Sequence, residues 1–220
     1  MKENKAVIFD LDGTLLDTLK DLALSTNAVL ERHGYPTHRE DSYRYLVGEG
    51  IGVLVQKALP QDARREKTVQ SLVQEVREEY GQRWADHTAP YPGVPEILDY
   101  LEEKKVPCGI LSNKPQDFTE LTVEAFFSNW SFRVVQGLEP GIPAKPDPTG
   151  AFQVARHLGV KPEEIIYLGD TSIDMKTAVS AGMFPAGVLW GFRSARELKE
   201  SGAEMLLNHP RELLEKVNFH

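Results

Sequence analysis

Residues 6–14 read Ala6-Val7-Ile8-Phe9-Asp10-Leu11-Asp12-Gly13-Thr14, and the remainder of the chain is organised around them. Ala6-Val7-Ile8 is a short apolar run rich in β-branched residues, of the kind a buried strand of a parallel sheet needs. Asp10 falls at the carboxyl end of that strand, where open α/β sheets gather their ligand-binding groups. Asp12 follows at two-residue spacing, so an extended chain sends both carboxylates to one side. Gly13 lets the backbone turn there, or approach a ligand closely, at no steric cost. Two acids this close repel, which forces one pKa up unless a cation intervenes. A hard divalent ion such as Mg²⁺ prefers oxygen ligands of this type. An Asp-x-Asp-Gly after a strand is also the composition of a plain turn, so the wider chain has to separate the two readings.

Downstream, residues 18–33 carry Leu19, Leu22, Ala23, Val29 and Leu30 at helical spacing, and Gly34 and Pro36 stop the helix. A second helix is predicted over residues 39–46, then the glycine-bearing segment Val47-Gly48-Glu49-Gly50-Ile51-Gly52. A helix through Val53, Leu54, Val55, Ala58 and Leu59 ends at Pro60, and Val69, Leu72, Val73, Val76, Tyr80 and Trp84 mark another. No strand interrupts this block, which reads as an inserted helical subdomain.

Past Tyr91-Pro92-Gly93 the pattern becomes alternation. Apolar runs at 106–111, 132–135, 165–168, 186–190 and 205–207 are separated by helical stretches near 94–105, 118–126, 147–158, 173–181 and 195–201, with a last helix reaching 217. Strand–helix alternation of this kind means βαβ units and a parallel sheet covered on both faces. The expected fold is therefore α/β: a Rossmann-like parallel sheet core, residues 1–15 and 89–220, with a helical unit, 16–88, inserted after the first strand.

Composition narrows the function. The 220 residues carry 25 basic and 33 acidic side chains, a net charge of −8, which argues against a nucleic-acid or anionic-membrane partner. No apolar run approaches the ~20 residues that span a bilayer, and the apolar start is broken by Asp10 and Asp12, unlike a signal peptide. The single cysteine, Cys108, fits a reducing cytoplasm and, within Val106-Pro107-Cys108-Gly109-Ile110-Leu111, reads as a buried inert thiol. The six histidines show no metal-binding spacing.

Polar groups recur at three predicted strand ends: Asp10 with Asp12, Ser112 with Asn113, and Asp170 with Asp174. Sheet topology can bring all of them to one edge. Gly169-Asp170-Thr171-Ser172-Ile173-Asp174 also has the look of a helix N-cap, although a cap needs only one acid. Lys145 lies in Ala144-Lys145-Pro146-Asp147-Pro148, where the prolines stiffen its backbone.

Taken in order, FDLDGTLLDT, ILSNK, AKPDP and GDTSID resemble the four motifs of the haloacid dehalogenase superfamily of Mg²⁺-dependent aspartyl phosphotransferases. The resemblance covers the whole chain, and the helical block looks like that family's first-type cap. Within the family the chain is most similar to phosphoglycolate phosphatases, in VGEGIGVLVQKAL and in GVLWGFR as well as in the motifs. The resemblance implies that Asp10 is the nucleophile, that Asp12 is the acid–base, and that Ser112 and Lys145 hold the phosphoryl group. It further implies Mg²⁺ held by Asp10, the backbone carbonyl of Asp12 and Asp170, with Asp174 supporting. Thr14 is expected to position Asp12, and Asn113 to join the phosphate site. In the cap, Gly48 and Arg44 are candidates for contact with an anionic substrate, although Glu49 beside them sits awkwardly with phosphoglycolate. The expectation is a cytoplasmic phosphatase, monomer or homodimer, acting on a small phosphorylated metabolite. A pyrophosphatase or nucleotidase, a hexose-phosphate mutase and a catalytically silent binding protein on the same fold are the alternatives.

Overall fold

A computed structural model of the chain describes residues 4–219. The first strand, β1 (Ala6–Phe9), is followed by the two-residue β2 (Leu16–Asp17) and then by helices α1 (Leu19–Arg32), α2 (Ile51–Ala58) and α3 (Glu66–Arg83). After β3 (Ala89–Pro90), strands and helices alternate: α4 (Val94–Glu103), β4 (Cys108–Pro115), α5 (Gln116–Phe127), β5 (Val134–Leu138), α6 (Thr149–Leu158) and β6 (Ile165–Gly169). The chain ends with α7 (Ser172–Ala181), β7 (Phe184–Val188), α8 (Ala195–Glu200), β8 (Met205–Leu207) and α9 (Glu212–Lys216). It divides into two compact units, one comprising the chain up to Leu16 and from Pro90 onward, the other Asp17–Ala89.

In the first unit the strands form one parallel sheet in the order β5-β4-β1-β6-β7-β8. β1 is central, its residues fully buried, and its side chains alternate between the two faces. Val7 and Phe9 enter one cluster with Val94, Ile97 and Leu101 of α4 and Phe127 of α5. Ala6 and Ile8 enter another with Val154 and Leu158 of α6 and Ala178 of α7. A period of two thus delivers apolar groups to both layers of helices. The neighbours of β1 are β4 on one side and β6 on the other, so the connections leave its carboxyl end in opposite directions. That end is the switch point at which parallel sheets open a crevice.

The unit Asp17–Ala89 has its own core, in which Val29 and Leu30 of α1, Val55 and Ala58 of α2, and Leu72 and Val76 of α3 meet. Asp21, fully buried on α1, accepts the backbone N–H groups of His87 (2.9 Å) and Thr88 (2.8 Å) and the Thr88 hydroxyl (2.8 Å). It thereby ties the start of this unit to its end. Gly48 and Gly50 both adopt positive φ, 113° and 87°.

The α-helix expected over residues 39–46 is instead a 3-10 run, Glu40–Tyr45. Tyr43 is its only buried residue, and Asp and Ser favour turns over helix interiors, so nothing extends the segment into an α-helix. The strand expected over 106–111 starts at Cys108 and runs on to Pro115, with Ser112, Asn113 and Lys114 buried along it and their polar groups bonded. No helix among the described residues is long and apolar enough to cross a membrane.

Candidate active site

Asp10 and Asp170 directly follow β1 and β6, and Ser112 lies in the carboxyl half of β4, the three strands being neighbours at the centre of the sheet. The adjacency follows from the topology, since each strand emerges next to β1 and in the same direction. The acids they carry are drawn together with Asp174 from the first turn of α7. Oxygens of Asp10, Asp170 and Asp174 lie within 4.8 Å of one another, and all three residues are buried.

One cation serves two of these acids. The Lys145 ammonium donates to Asp10 Oδ1 (2.7 Å), to Asp174 Oδ1 (2.6 Å) and to the Leu111 carbonyl (3.0 Å). Burial acts against its charged form, but the carboxylates of Asp10 and Asp174 outweigh it, and the lysine pKa stands well above its ordinary value. Asp10 is pushed up to about 7, first by burial and next by the charge of Asp174, against the pull of Lys145. Asp12 adds to the rise as the smallest of the causes acting on it. Asp170 is raised as well, by burial and then by Asp10 and Asp174.

Asp12 turns away from this cluster. Its carboxylate meets the buried ammonium of Lys114 at 3.0 and 3.4 Å. Lys114 is a residue the sequence reading passed over, although it stands in the ILSNK motif; a lysine at a strand end looks like surface charge until its burial is known. Ser112 Oγ accepts the Lys114 N–H (3.1 Å), which leaves its own O–H to donate.

Asn113 braces Lys145. Its Oδ1 accepts the Lys145 N–H (2.8 Å) and its Nδ2 donates to the Lys145 carbonyl (3.1 Å), so both ends of the amide hold the backbone of Lys145. Thr14 lacks the expected contact with Asp12. Its hydroxyl points to Asp170 Oδ1 at 3.5 Å, and its carbonyl accepts the Trp190 indole N–H at 2.9 Å, with no bond to Asp12. Asp174 combines two tasks: Oδ1 meets Lys145, while Oδ2 completes a capping box with Thr171, the N-cap of α7. The cap of that helix is therefore Thr171 and not Asp170.

Arg44 and Gly48 belong to the unit Asp17–Ala89, where Arg44 is exposed. Glu49 in the same unit is paired with Lys57, so its charge is balanced locally. Cys108 is buried and its thiol is pushed up to about 12, chiefly by burial, which makes it inert as expected.

The donor set suits a divalent cation. Of three buried carboxylates only two are met by the lysine, all their donors are hard oxygens, and their crowding disfavours ionisation unless positive charge is added.

The comparisons with known proteins agree. The model of the haloacid dehalogenase-like hydrolase family matches residues 7–188. A phosphoglycolate phosphatase of Pseudomonas syringae pv. tomato is 30% identical over 96% of this chain and 78% of its own length. An N-acetylmuramic acid 6-phosphate phosphatase of Pseudomonas aeruginosa is 32% identical over 97% of this chain and 95% of its own. The crystal structure of a candidate phosphoglycolate phosphatase from Lactobacillus delbrueckii subsp. bulgaricus superposes with a TM-score of 0.85 at 32% identity, covering 99% of both chains. The chain belongs to the haloacid dehalogenase-like hydrolase family, as a member resembling its phosphoglycolate phosphatases.

Proposed function

We propose that the chain is a Mg²⁺-dependent phosphatase that hydrolyses a small phosphomonoester of the phosphoglycolate type through an aspartyl-phosphate. The observation that carries this reading is Lys145 bound between Asp10 and Asp174, with Asp170 completing the acid cluster. Asp10 Oδ1 is held by the lysine, and Oδ2 is the oxygen we assign to attack. A new bond forms from that oxygen to phosphorus as the ester P–O bond breaks, and Asp12 delivers a proton to the departing alcohol. Asp12 then takes a proton from water, the water oxygen bonds phosphorus, and the bond to Asp10 breaks to release phosphate. Ser112 donates to a phosphoryl oxygen, and Lys145 offsets negative charge on the nucleophile and the phosphoryl group. Asp10, the Asp12 carbonyl and Asp170 are the groups we assign to Mg²⁺, with Asp174 supporting. The ion would neutralise charge on the phosphoryl oxygens.

Accelerating phosphate-monoester hydrolysis can demand factors on the order of 10²¹. A positioned acid–base accounts for only about 10² to 10⁴ of that, so most must come from charge stabilisation and placement, which a lysine, a hydroxyl and a divalent ion supply together. We assign residues 17–89 the part of a cap, Arg44 and Gly48 contact with the substrate, and the protein a place in the cytoplasm. The Lys57 partner of Glu49 removes the main sequence objection to an anionic substrate.

The test is phosphate release from phosphoglycolate, sugar phosphates, nucleotides and pyrophosphate, with Mg²⁺ or EDTA, for wild type and Asp10→Asn. Release is expected from a monoester, to require Mg²⁺, and to vanish in Asp10→Asn. Undiminished release from the Asn variant would refute the role of Asp10.

A further inference from the structure

The family match ends at Val188, yet the next few residues reach back across the sheet to the candidate site. The Trp190 indole N–H donates to the Thr14 carbonyl (2.9 Å), in the loop after β1. The backbone N–H of Phe192 donates to Asp170 Oδ2 (2.7 Å), in the loop after β6. Gly191, between them, is in closer contact than any side chain permits. A Cβ there would lie 2.3 Å from the Gly13 carbonyl oxygen, 2.3 Å from Asp170 Cβ and 2.6 Å from Asp170 Oδ2. Gly13 faces the same junction at φ +90°, and a Cβ on it would lie 2.4 Å from Asp170 Oδ2 and 2.7 Å from the Phe192 ring. Segments after β1, β6 and β7 are therefore interlocked around one carboxylate.

We infer that Trp190-Gly191-Phe192 is a positioning strap that sets Asp170 for a divalent cation. This rests on the metal reading given under Proposed function. The Phe192 N–H occupies Oδ2 and fixes the rotation of the carboxylate, so Oδ1, which faces Thr14, is the oxygen turned to the cation. Trp190 fixes the other side by holding the loop that carries Gly13 and Thr14. Gly191 is the residue that lets the two loops close on each other. Partners that orient a metal-binding carboxylate in this way commonly carry about 10- to 100-fold of metal affinity.

The experiment measures Mn²⁺ binding by electron paramagnetic resonance for wild type, Gly191→Ala and Trp190→Phe, with melting curves in EDTA to verify folding. Gly191→Ala drives a Cβ against the Gly13 carbonyl and the Asp170 side chain, and about tenfold or greater loss of Mn²⁺ affinity is expected. Trp190→Phe deletes one N–H, and a loss of roughly two- to tenfold is expected, the equivalent of one hydrogen bond. In activity assays both variants should show a raised requirement for Mg²⁺, with kcat recovered at saturating Mg²⁺, a split that general loosening of the fold does not produce. Wild-type affinity in the folded variants overturns the strap, and if Gly191→Ala fails to fold, unchanged affinity in Trp190→Phe overturns it alone. A wild-type protein that takes up no Mn²⁺ overturns the metal reading and this inference with it.

Discussion

Replacing Asp10 by Asn should make the metal-free protein more stable at neutral pH, and the gain should disappear on acidification. The Asp10 carboxyl is buried and rises from an ordinary 3.8 to about 7, chiefly through burial and then through Asp174. Its folded value therefore lies above its unfolded one. Between about pH 4 and 7 the folded protein keeps a proton that the unfolded chain has lost, so stability falls as pH rises through that window and is level above it. Ionising the group inside the fold costs roughly 4 kcal/mol at most. Asparagine avoids that cost but takes one of two carboxylate partners from Lys145, which retains Asp174. The net gain expected near pH 7.5 is about 1 to 3 kcal/mol, some 2 to 10 °C in Tm for a chain of this length. Melting curves in EDTA from about pH 4.5 to 8 are the assay. Wild type and Asp10→Asn should converge at the acid end, and Mg²⁺ should raise the wild type toward the variant. A wild-type protein as stable as the variant near pH 7.5, or a difference that does not narrow on acidification, would refute the electrostatic reasoning.

Lys114→Met should release Asp12 from its partner and disturb proton delivery to the leaving group. Turnover of alkyl phosphates should fall about tenfold or more, and that of p-nitrophenyl phosphate, which scarcely needs an acid, should fall far less; equal losses on both would sink the idea. In the unit Asp17–Ala89, Asp21→Ala strands the two N–H groups and the hydroxyl now bonded to one carboxylate oxygen. Urea unfolding should report about 3 kcal/mol or more of lost stability, and Thr88→Val, which removes only the hydroxyl, about 1. With its thiol at about 12, Cys108 should resist iodoacetamide in the native protein and react on unfolding; rapid native alkylation, read by mass spectrometry, would contradict its burial.

The sheet was legible because its signal is local and repeated. Val7-Ile8-Phe9 could pack on both faces only as a buried central strand, and each later apolar run was followed by a helix whose length suits a crossover. The motifs at strand ends were legible for a related reason. A parallel sheet points every carboxyl end the same way, so Asp10, Ser112 and Asp170 needed only strand neighbourhood to be brought to one edge. The segment 39–46 forms a 3-10 run because Tyr43 alone is buried within Glu40–Tyr45, too little apolar surface to hold an α-helix, and periodicity does not register the difference.

What the sequence concealed depends on burial and on backbone donors, neither of which has a local signature. Lys114 reads as a solvated charge, and only its enclosure beside Asp12 turns it into an ion-pair partner. Asn113 has the composition of a ligand for phosphate, and nothing in its local sequence announces that its amide also bonds the backbone of Lys145 at both ends. The donor that turns Asp170 is the N–H of Phe192, a group every residue but proline possesses, so no choice of side chain at position 192 announces it. The informative residue there is Gly191, since a Cβ at that position would strike Asp170 and the Gly13 carbonyl. Glycine in a loop usually signals a turn, and here it signals a close approach between strands far apart in the chain. The acids that gather at one edge of such a sheet are thus open to reading from sequence, whereas the groups that aim them become visible only when the distances between loops are known.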